Sequence, residues 1–504
     1  MIRITLIAIA CAFVLVASAQ HDSVRYDYTW YLGYDEFHPD IYTGTSVMNF
    51  NGDSLEVYSD DASDIDCLET NVSISDSDGN FIFFSNGAYV FDASQSIMQG
   101  GDTIAISDYT RTWYDNGLLI PQGILALPDP GDDERWHLIH QYIEPHPIHV
   151  ATAPEILHST IDMSLNGGLG GVDKVDETLL EGTYSPGQMT ACRHANGRDW
   201  WLLFSESKNN LYHTFLLDPS GLQYQGVQAV GDTVRTGLGW ATYSPNGENF
   251  IRVNAATVEL GTYIDIYDFD RCTGELSNQR HIGFPVSGTP SVSVSPSSQY
   301  LYVCRTDTIS QFDLWASDIA ASETTVAVYD GVPSPLTGFS SHFSMSSLAP
   351  DGKIYVMPAT TQEMVHVIHH PDSGGVACEV EQKAFALPHI NRSMPNFPHY
   401  RLGRLEGSAC DTVYNQQVAV EEPSEQSGQV RLAPNPADEQ VTLVVEGELR
   451  VVELVLYDYS GRLVQTFDTR QSLTVDVSHL PAGFYLCRMA TADGEALTQK
   501  LVIR

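Results

Sequence analysis

Residues 291–314 read SVSVSPSSQYLYVCRTDTISQFDL, three alternating runs separated by two polar turns. Serine and valine alternate before Pro296, and aromatic and β-branched residues fill the run that follows. Alternation with a period of two, bounded by Pro, Ser and Asp, is typical of short antiparallel strands. The stretch therefore predicts a strand, a turn, a second strand, a turn and a third strand.

The same plan recurs along the chain. The first turn of each unit stands at Gly79, Glu134, Arg198, Glu248, Ser298 and Gly352. Successive turns are 50 to 64 residues apart. Sheets that repeat at this interval are typical of a β-propeller, in which each blade packs both faces against its neighbours. The sequence therefore predicts an all-β fold built on a β-propeller.

Strand-like segments at both ends bear on the number of blades. VMNFNGDSLEVYS at residues 47–59 and FALPHINRSMPNFPHYRLG at residues 385–403 lie outside the six units. If strands from both ends combine into one closing blade, the ring has seven blades, which we prefer, and otherwise six remain possible. Two stacked β-domains, such as paired sandwiches, are the alternative architecture.

The N-terminal residues are typical of a secretory signal peptide. Arg3 precedes an apolar run at residues 4–16, and small residues at 17–19 form a cleavage site. The sequence predicts a signal peptide at residues 1–19, cut between Ala19 and Gln20. The apolar run is shorter than the roughly 20 residues that cross a bilayer. Since no later stretch is more apolar, no integral membrane segment is expected.

The chain is strongly acidic. It has 64 Asp and Glu against 25 Lys and Arg, a formal net charge of −39 that becomes −40 when Arg3 leaves with the signal peptide. Such a surface repels phosphate backbones, so nucleic acid is not an expected partner. The acidity favours solubility and leaves calcium binding possible, but no cofactor is predicted.

Seven cysteines follow residue 19, at Cys67, Cys192, Cys272, Cys304, Cys378, Cys410 and Cys487. Export to an oxidising compartment permits disulfides. By proximity in sequence we expect the pairs Cys272–Cys304 and Cys378–Cys410, each closing a loop of about 30 residues. The absence of a CxxC motif argues against a zinc ribbon or a thioredoxin-like redox site.

A polar, acidic stretch separates the repeats from a distinct C-terminal unit. Residues 414–428 are poor in aromatics and predict a linker. Alternating runs such as VVELVLY at residues 451–457 then predict a small β-sandwich. The predicted organisation is a signal peptide at 1–19, a propeller at 20–413, a linker at 414–428 and a C-terminal domain at 429–504.

Motifs along the whole C-terminal unit resemble the type A sorting domain of the type IX secretion system. The matching residues are Pro434, Asn435 and Pro436 at its start, Asp458, Gly461 and Arg462 at the central turn, Leu480, Pro481, Gly483 and Tyr485 before the penultimate hairpin, and Lys500 near the end. The resemblance implies passage through the periplasm, recognition by an outer-membrane translocon and removal by a sortase-like peptidase. The protein is then expected to be secreted or on the outer cell surface.

Residues 25–412 resemble large secreted Bacteroidetes proteins with an N-terminal propeller-like region. CRHANGRDWWLL at residues 192–203, LAPDGKIYV at residues 348–356 and MPNFPHYRLG at residues 394–403 carry the resemblance. It implies secretion and a propeller, and it implies no established enzymatic activity.

Two groups of histidines are candidate metal ligands. They are His137, His140, His146, His149 and His158 in the first group, and His366, His369 and His370 in the second. A metal site needs imidazoles that converge on one ion. Strand spacing places the first two on opposite faces, so surface and loop roles are favoured and no metal site is predicted.

Other motifs also fall short of a chemical signature. Residues 76–80, DSDGN, carry oxygen ligands at alternate positions, but their glycine and glutamate spacing departs from a calcium loop, so a hairpin turn is favoured. Acidic loops at residues 60–66 and 129–134 would hold calcium only weakly. No GxSxG elbow occurs. The catalytic residues, if any exist, are unknown at this point.

The sequence thus predicts an exported propeller that binds a glycan, a matrix component or a protein at loops around its central channel. The alternative is a secreted carbohydrate hydrolase or lyase with carboxylates at the channel mouth. Hydrolysis would require two carboxylates about 5–10 Å apart. The sequence leaves enzymatic activity uncertain and favours binding.

Overall fold

The computed structural model describes residues 24–34, 43–60, 66–102, 104–112, 117–145, 151–235, 237–255, 261–285, 288, 290–358, 360–411, 430–445, 450–457, 463–470, 472–481, 483–491 and 496–504. The predicted signal peptide with Ala19 and Gln20, and the predicted linker, lie outside these residues. The chain divides into two compact units, Met1–Val413 and Tyr414–Arg504.

Seven antiparallel sheets form the described part of the first unit, each built from consecutive strands. Blade 1 has β1 (Thr29–Tyr34), β2 (Gly44–Asn49) and β3 (Glu56–Asp60), and blade 2 has β4 (Val72–Ser75), β5 (Phe81–Ser85) and β6 (Val90–Asp92). Blade 3 has β7 (Ile124–Pro128), β8 (Arg135–Pro145), β9 (Ala151–Asp162) and β10 (Gly171–Tyr184). Blade 4 has β11 (Ala191–Arg193), β12 (Trp200–Ser205), β13 (Leu211–Asp218) and β14 (Gly221–Ala229).

The last three blades each have four strands. Blade 5 has β15 (Leu238–Tyr243), β16 (Asn249–Ala255), β17 (Thr262–Phe269) and β18 (Leu276–Phe284). Blade 6 has β19 (Ser291–Val294), β20 (Tyr300–Arg305), β21 (Thr308–Asp313) and β22 (Thr324–Val328). Blade 7 has β23 (Phe343–Leu348), β24 (Ile354–Pro358), β25 (Gln362–Ile368) and β26 (Val380–Asn391).

The described chain contains few helices. They are α1 (Asp108–Thr112) and short 3-10 segments at Leu165–Gly168, Ala320–Ser322 and Gly375–Cys378. Among the described residues, we find no helix with the length and apolar character needed to cross a membrane.

Apolar clusters between neighbouring blades close the ring. One cluster joins blades 1 and 2, another joins blades 2 to 4, and others join blades 4 and 5 and blades 6 and 7. A further cluster runs from blade 5 through blades 6 and 7 to blade 1. There Tyr355 of blade 7 packs edge-on against Trp30 of blade 1, with 5.9 Å between ring centroids. The fold is a seven-bladed β-propeller rather than two stacked sandwiches.

The repeating turns identified in the sequence join the first and second strands of blades 2–7. Gly79 and Gly352 adopt φ of 93° and 78° in two of them, a conformation that glycine allows without strain. In two others, the Ser244 and Ser295 hydroxyls accept the N–H groups of Asn249 and Tyr300, at 2.9 and 3.0 Å. Local turn chemistry therefore sets the repeat.

The first strands of blades 2–7 begin at one face of the ring, here called the front face, and end at the opposite back face. At the front, Gln122 hydrogen-bonds both backbone groups of Ala241. Two hydrogen bonds show that strand β1 runs in the opposite direction. The Ser75 N–H, at the end of β4, donates to the Tyr26 carbonyl, which lies before β1 begins. The Asn71 amide, before β4, donates to the Tyr31 carbonyl at 2.7 Å.

The expected closing strand from the C-terminal side of the propeller takes a different form. Phe385 lies in β26 of blade 7, and residues 392–402, here called the channel segment, are outside any sheet. Pro395 and Pro398 lack the N–H groups that a sheet ladder requires. Blade 1 therefore draws its three strands from the N-terminal side alone, and the channel segment packs beside it, with 5.9 Å between the ring centroids of Phe397 and Trp30.

The outer strands of blades 3–7 all pair irregularly with the strand inside them. Three of these irregular stretches hold a residue other than glycine at positive φ, namely Asp176, Asn278 and Lys383. A bulge bends the strand, which hinders regular pairing with another chain. The exposed blade edges are thus protected by backbone shape.

The predicted disulfide pairs are wrong. Cys272 is bonded to Cys410, with 5.7 Å between Cα atoms and a separation of 138 positions in sequence. Cys304 and Cys378 are both buried and free, in the cluster between blades 6 and 7. The chain crosses the ring before Cys410, so its spatial neighbour is the turn between β17 and β18 rather than the nearest cysteine in sequence.

The second unit is a small two-sheet β-domain with its own core. Its strands are β27 (Val430–Ala433), β28 (Gln440–Val445), β29 (Val451–Tyr457), β30 (Leu463–Asp468), β31 (Thr474–Asp476), β32 (Gly483–Thr491) and β33 (Ala496–Ile503). One sheet has the order β27-β28-β31 and the other β30-β29-β32-β33. Leu443 of the first sheet and Leu454 and Leu501 of the second share one buried cluster.

Candidate functional site

The channel of the propeller, where the sequence places the ligand, is occupied by the channel segment. At the front face the Asn396 amide donates to the carbonyls of Ile124 and Met189, at 2.8 and 2.9 Å. Further along, the Tyr400 hydroxyl donates to the Ala126 carbonyl at 2.7 Å. The segment thus passes through the channel from the front face to the back face and forms hydrogen bonds with several blades.

The space left beside the channel segment is small. A cavity of about 40 Å³ remains, with Gln122, Thr242, Ser293 and Ser346 among its lining residues. This volume suits ordered water rather than a sugar. Asp27 is the sole carboxylate in the described lining, and it is ion-paired with Arg401. The channel therefore lacks, in its described part, the carboxylate pair that hydrolysis would need.

Burial also neutralises the imidazole of the channel segment. His399 Nε2 lies 2.9 Å from the Tyr243 carbonyl, and burial lowers the pKa of His399 to about 4. The ring is therefore neutral near pH 7 and donates this hydrogen bond. Its role in the described structure is to hold the segment in place.

A larger concave surface lies on the front face of blade 3. Ile124, at the start of β7, pairs with His140, so β8 runs on to Pro145 beyond the innermost strand. The connection from blade 2 brings α1 against β8. Together they form a pocket of about 310 Å³, here called the rim pocket, lined by Ile106, Ser107, Asp108, Arg111, Tyr142, Glu144 and Pro145.

The rim pocket combines an aromatic ring with charges of both signs. Tyr142 is half-buried, while Asp108, Arg111 and Glu144 are exposed. Burial, followed by the negative charges of Glu144 and Asp108, raises the pKa of Tyr142. The phenol therefore stays protonated at neutral pH and can donate a hydrogen bond. The pocket can thus offer an apolar ring face, a hydroxyl donor, a guanidinium and two carboxylates.

Sequence reasoning missed the residues of this pocket. Residues 106–111 and 142–145 are far apart in sequence, and neither segment carries a recognisable motif. A signal was nevertheless present in the spacing. The step from Glu134 to Arg198 is 64 residues, the longest in the repeat, and blade 3 has strands of 11, 12 and 14 residues in β8–β10.

The histidines of blade 3 form a hydrogen-bonded chain instead of a metal site. His137 Nδ1 lies 2.9 Å from His158 Nε2, and His137 Nε2 lies 2.9 Å from Asp129 Oδ2. Burial, reinforced by His137, lowers the pKa of His158 to about 3. His146 and His149 lie outside the described residues. Within the described ranges, no group of three or more His, Cys, Asp or Glu is placed to hold a metal ion.

A serine, a histidine and an aspartate also meet in blade 3. Ser159 Oγ and Asp176 Oδ1 lie 2.9 and 3.6 Å from the same nitrogen, Nε2 of His140. A catalytic triad needs the acid on one ring nitrogen and the nucleophile on the other. His140 is fully buried, which lowers its pKa to about 3. This arrangement is therefore a structural one.

The remaining sequence candidates have other roles in the structure. His366 is buried and accepts the Lys383 N–H at Nδ1, while His369 lies 2.8 Å from Glu381. Asp76 accepts the N–H groups of Asp78 and Asn80 within its hairpin turn. These contacts explain the residues without a bound ion.

Two sorting motifs of the second unit lie close together. One follows β27 directly, and the other lies within β33. The Asn435 amide donates to the Lys500 carbonyl at 2.6 Å, and Asn435 Oδ1 accepts the Val502 N–H at 2.9 Å. The peptide bonds before Pro434 and Pro436 are cis. The motif at the start of the domain is thus bonded to the motif near its end.

The other sorting residues occupy separate places. The Tyr485 hydroxyl donates to the Pro481 carbonyl at 2.8 Å, and Leu480 packs against the core. Gly483 pairs with Ile503 across β32 and β33. Asp458, Gly461 and Arg462 lie outside the described residues.

Residues 431–504 match the family model of the secretion system C-terminal sorting domain. The chain is a type IX secretion substrate. Its sorting domain directs it to the cell surface or the surroundings of the cell. The resemblance drawn from the motifs is confirmed, and with it the predicted localisation.

Several solved structures are similar to this type IX substrate at low identity. A proposed 6-phosphogluconolactonase of Bacteroides fragilis is 12% identical, with 73% of this chain and 97% of that chain covered and a TM-score of 0.43. PorZ, a surface component of the type IX system of Porphyromonas gingivalis, is 10% identical over 91% of this chain and 73% of its own, with a TM-score of 0.30. TolB of Acinetobacter baumannii is 11% identical over 73% and 66%, with a TM-score of 0.31.

No curated protein matches this chain. Likenesses as distant as those to the solved structures carry no argument about activity or ligand.

Proposed function

We propose that the exported propeller is a binding protein whose ligand is a glycan, a matrix component or a protein outside the cell. The filled channel carries this proposal. The channel segment occupies the axis, and the cavity described beside it, about 40 Å³, is too small for a substrate. Loops on the front face, including the rim pocket, are then a concave surface open to a ligand.

The handling of the sorting domain belongs to the same proposal. The family match supports recognition by the outer-membrane translocon and removal by a sortase-like peptidase. Both partners would act on the C-terminal unit. The propeller is held together by its own blade interfaces. It is then the exported part of the chain that binds the ligand.

A secreted carbohydrate hydrolase or lyase is the second candidate. Asp108 and Glu144 line the same pocket, and a pair of carboxylates is what glycoside hydrolysis requires. No cofactor is predicted for either role, and calcium is included in the test because the acidity of the chain leaves its binding open. The two functions differ in turnover, which can be measured directly.

The test uses the mature chain, residues 20–504, with and without calcium. It is applied to arrays of glycans and extracellular matrix proteins, and in parallel to assays for released reducing ends and unsaturated sugars. Binding without turnover is the expected result. Turnover that Glu144→Gln abolishes would replace the proposal by the hydrolase, and no binding to any array would refute it.

A further inference from the structure

We propose that the rim pocket binds an uncharged sugar residue, with the ring of Tyr142 as its apolar contact. The inference rests on the proposed function and names the ligand class of the front-face surface. The pocket volume of about 310 Å³ lies at the lower end of the range for small-ligand sites. It therefore fits a short saccharide or the end of a longer one.

Tyr142 provides the contact that a sugar ring needs. One face of a pyranose carries C–H groups, which pack on an aromatic side chain that keeps its polar tip hydrated. Tyr142 is half-buried and lines the pocket. Its raised pKa keeps the hydroxyl as a donor toward a sugar oxygen. A single side chain thus offers both stacking and a hydrogen bond.

The charges of the pocket select against anionic ligands. Asp108 and Glu144 outnumber Arg111 in the lining, and the whole chain carries a formal charge of −39. Uronates, sulfated sugars and acidic peptides are therefore repelled. A polyol has hydroxyls that donate to carboxylates and accept from a guanidinium, so it can use both kinds of group.

The wall of the pocket is held in place before a ligand arrives. The Ser107 N–H donates to Thr110 Oγ1 at 2.6 Å, and the Thr110 N–H donates back to Ser107 Oγ at 3.1 Å. The Arg111 N–H donates to the Ser107 carbonyl at 3.0 Å. On the opposite wall, Ile143 anchors β8 in the core. A preformed site loses less entropy on binding.

A pocket of equal volume on the back face is a weaker candidate. Its lining includes Asp268 and Asp270. Arg280 is ion-paired with Asp268, and Asp270 accepts the Cys272 N–H at 2.7 Å. These carboxylates stabilise turns and strands, and no described aromatic ring is exposed in that lining.

The test presents the full mature chain with an array of neutral, anionic and amino oligosaccharides and a lysine-rich peptide. The strongest neutral oligosaccharide is then titrated calorimetrically. Tyr142→Ala is expected to weaken its binding by about tenfold, the size of an aromatic contact. Tyr142→Phe keeps the ring and loses only the hydroxyl hydrogen bond, so a smaller loss of about two- to fivefold is expected. Thermal unfolding of each variant checks that the fold is intact.

Two exposed aromatics supply matched controls. Tyr224 lies on the outer strand of blade 4 and Trp315 follows β21 at the back face, 52% and 65% exposed. Tyr224→Ala and Trp315→Ala are expected to leave binding unchanged.

If Trp315→Ala removes binding while Tyr142→Ala does not, the site is on the back face, and this inference fails while the proposed function stands. Binding confined to anionic sugars or to the peptide would overturn the ligand class. An array with no bound glycan would overturn the inference as a whole.

Discussion

Replacing Asp265 by asparagine should destabilise the propeller far more than an equivalent change three residues away. Asp265 and Arg252 are buried between blades 4 and 5, with Arg252 Nη1 3.2 Å from Asp265 Oδ2. Arg252 Nε donates to Gln188 Oε1 at 3.0 Å. The other carboxylate oxygen of Asp265 lies 2.7 Å from His281 Nδ1. One carboxylate thus balances a fully buried guanidinium and a histidine at the surface.

The magnitude follows from what the substitution Asp265→Asn leaves behind. The new amide keeps the shape of the side chain and one acceptor, but the Arg252 charge stays in the interior without a counter-charge. Removing one partner of a buried pair costs about 3–5 kcal/mol. Because the amide still accepts a hydrogen bond, we expect the lower end, about 3 kcal/mol. Replacing both residues, as Arg252→Met with Asp265→Leu, removes the stranded charge and should regain at least half of that loss.

The assay can isolate the propeller within the full chain. All seven tryptophans precede residue 414, so tryptophan fluorescence during urea unfolding follows the propeller and not the sorting domain. Asp268→Asn, in the same strand β17, is the control, because Asp268 is 48% exposed in its pair with Arg280. An exposed pair contributes about 0–1 kcal/mol. Equal losses for Asp265→Asn and Asp268→Asn would refute the reasoning.

Three further predictions follow from the disulfide, the buried histidines and the sorting domain. Cys410→Ser should lower the free energy of unfolding of the propeller by up to about 5 kcal/mol, since the bond closes a loop of 138 residues, and the same fluorescence assay measures the loss. Acidification from about pH 6.5 to 4 should lower stability steeply. Burial lowers the pKa of His140 to about 3 and of His366 and His399 to about 4, against about 6.5 when unfolded, so the unfolded chain binds more protons in this window. Each such histidine contributes a slope of up to about 1.4 kcal/mol per pH unit, read from urea midpoints. Deleting Val430–Arg504 should leave the protein in the periplasm, as shown by cell fractionation.

Each of these predictions has a matched check. Cys192→Ser alters a buried free thiol and should not reproduce the loss seen with Cys410→Ser under non-reducing conditions. His281 has a raised pKa because of its bond to Asp265, so its contribution is present at low pH and lost as pH rises through that pKa, opposite to the buried histidines. A stability that stays flat between about pH 6.5 and 4 would contradict the burial argument. Surface exposure of the truncated chain would contradict the sorting argument.

The fold was predictable because its determinants are local. Turn residues such as Gly79, Ser298 and Gly352 recur at similar steps, and each blade repeats the same alternation of strands. The sorting domain was predictable for a related reason, since its motif residues stand at fixed places along a short segment. These features depend on neighbours in sequence, which a single chain displays.

The channel segment, the disulfide and the rim pocket were not predictable, because each depends on the path of the chain through the ring. Pro395 and Pro398 argue against a strand, but nothing in their neighbours shows that the segment fills the axis. The pairing of Cys272 with Cys410 depends on that same path. Tyr142 and Arg111 share a pocket only because long strands in blade 3 extend beyond the innermost one.

The route of the channel segment also determines where the propeller is held. The described chain of the propeller starts at the back face, where Asp27 is bonded to Arg401, and it leaves there too, with Cys410 fastened to Cys272. Any tether on either end therefore pulls from one side of the disc. Tension on the C-terminal end would load the disulfide between Cys272 and Cys410 before it reached a blade, and the front face would be left turned toward the medium.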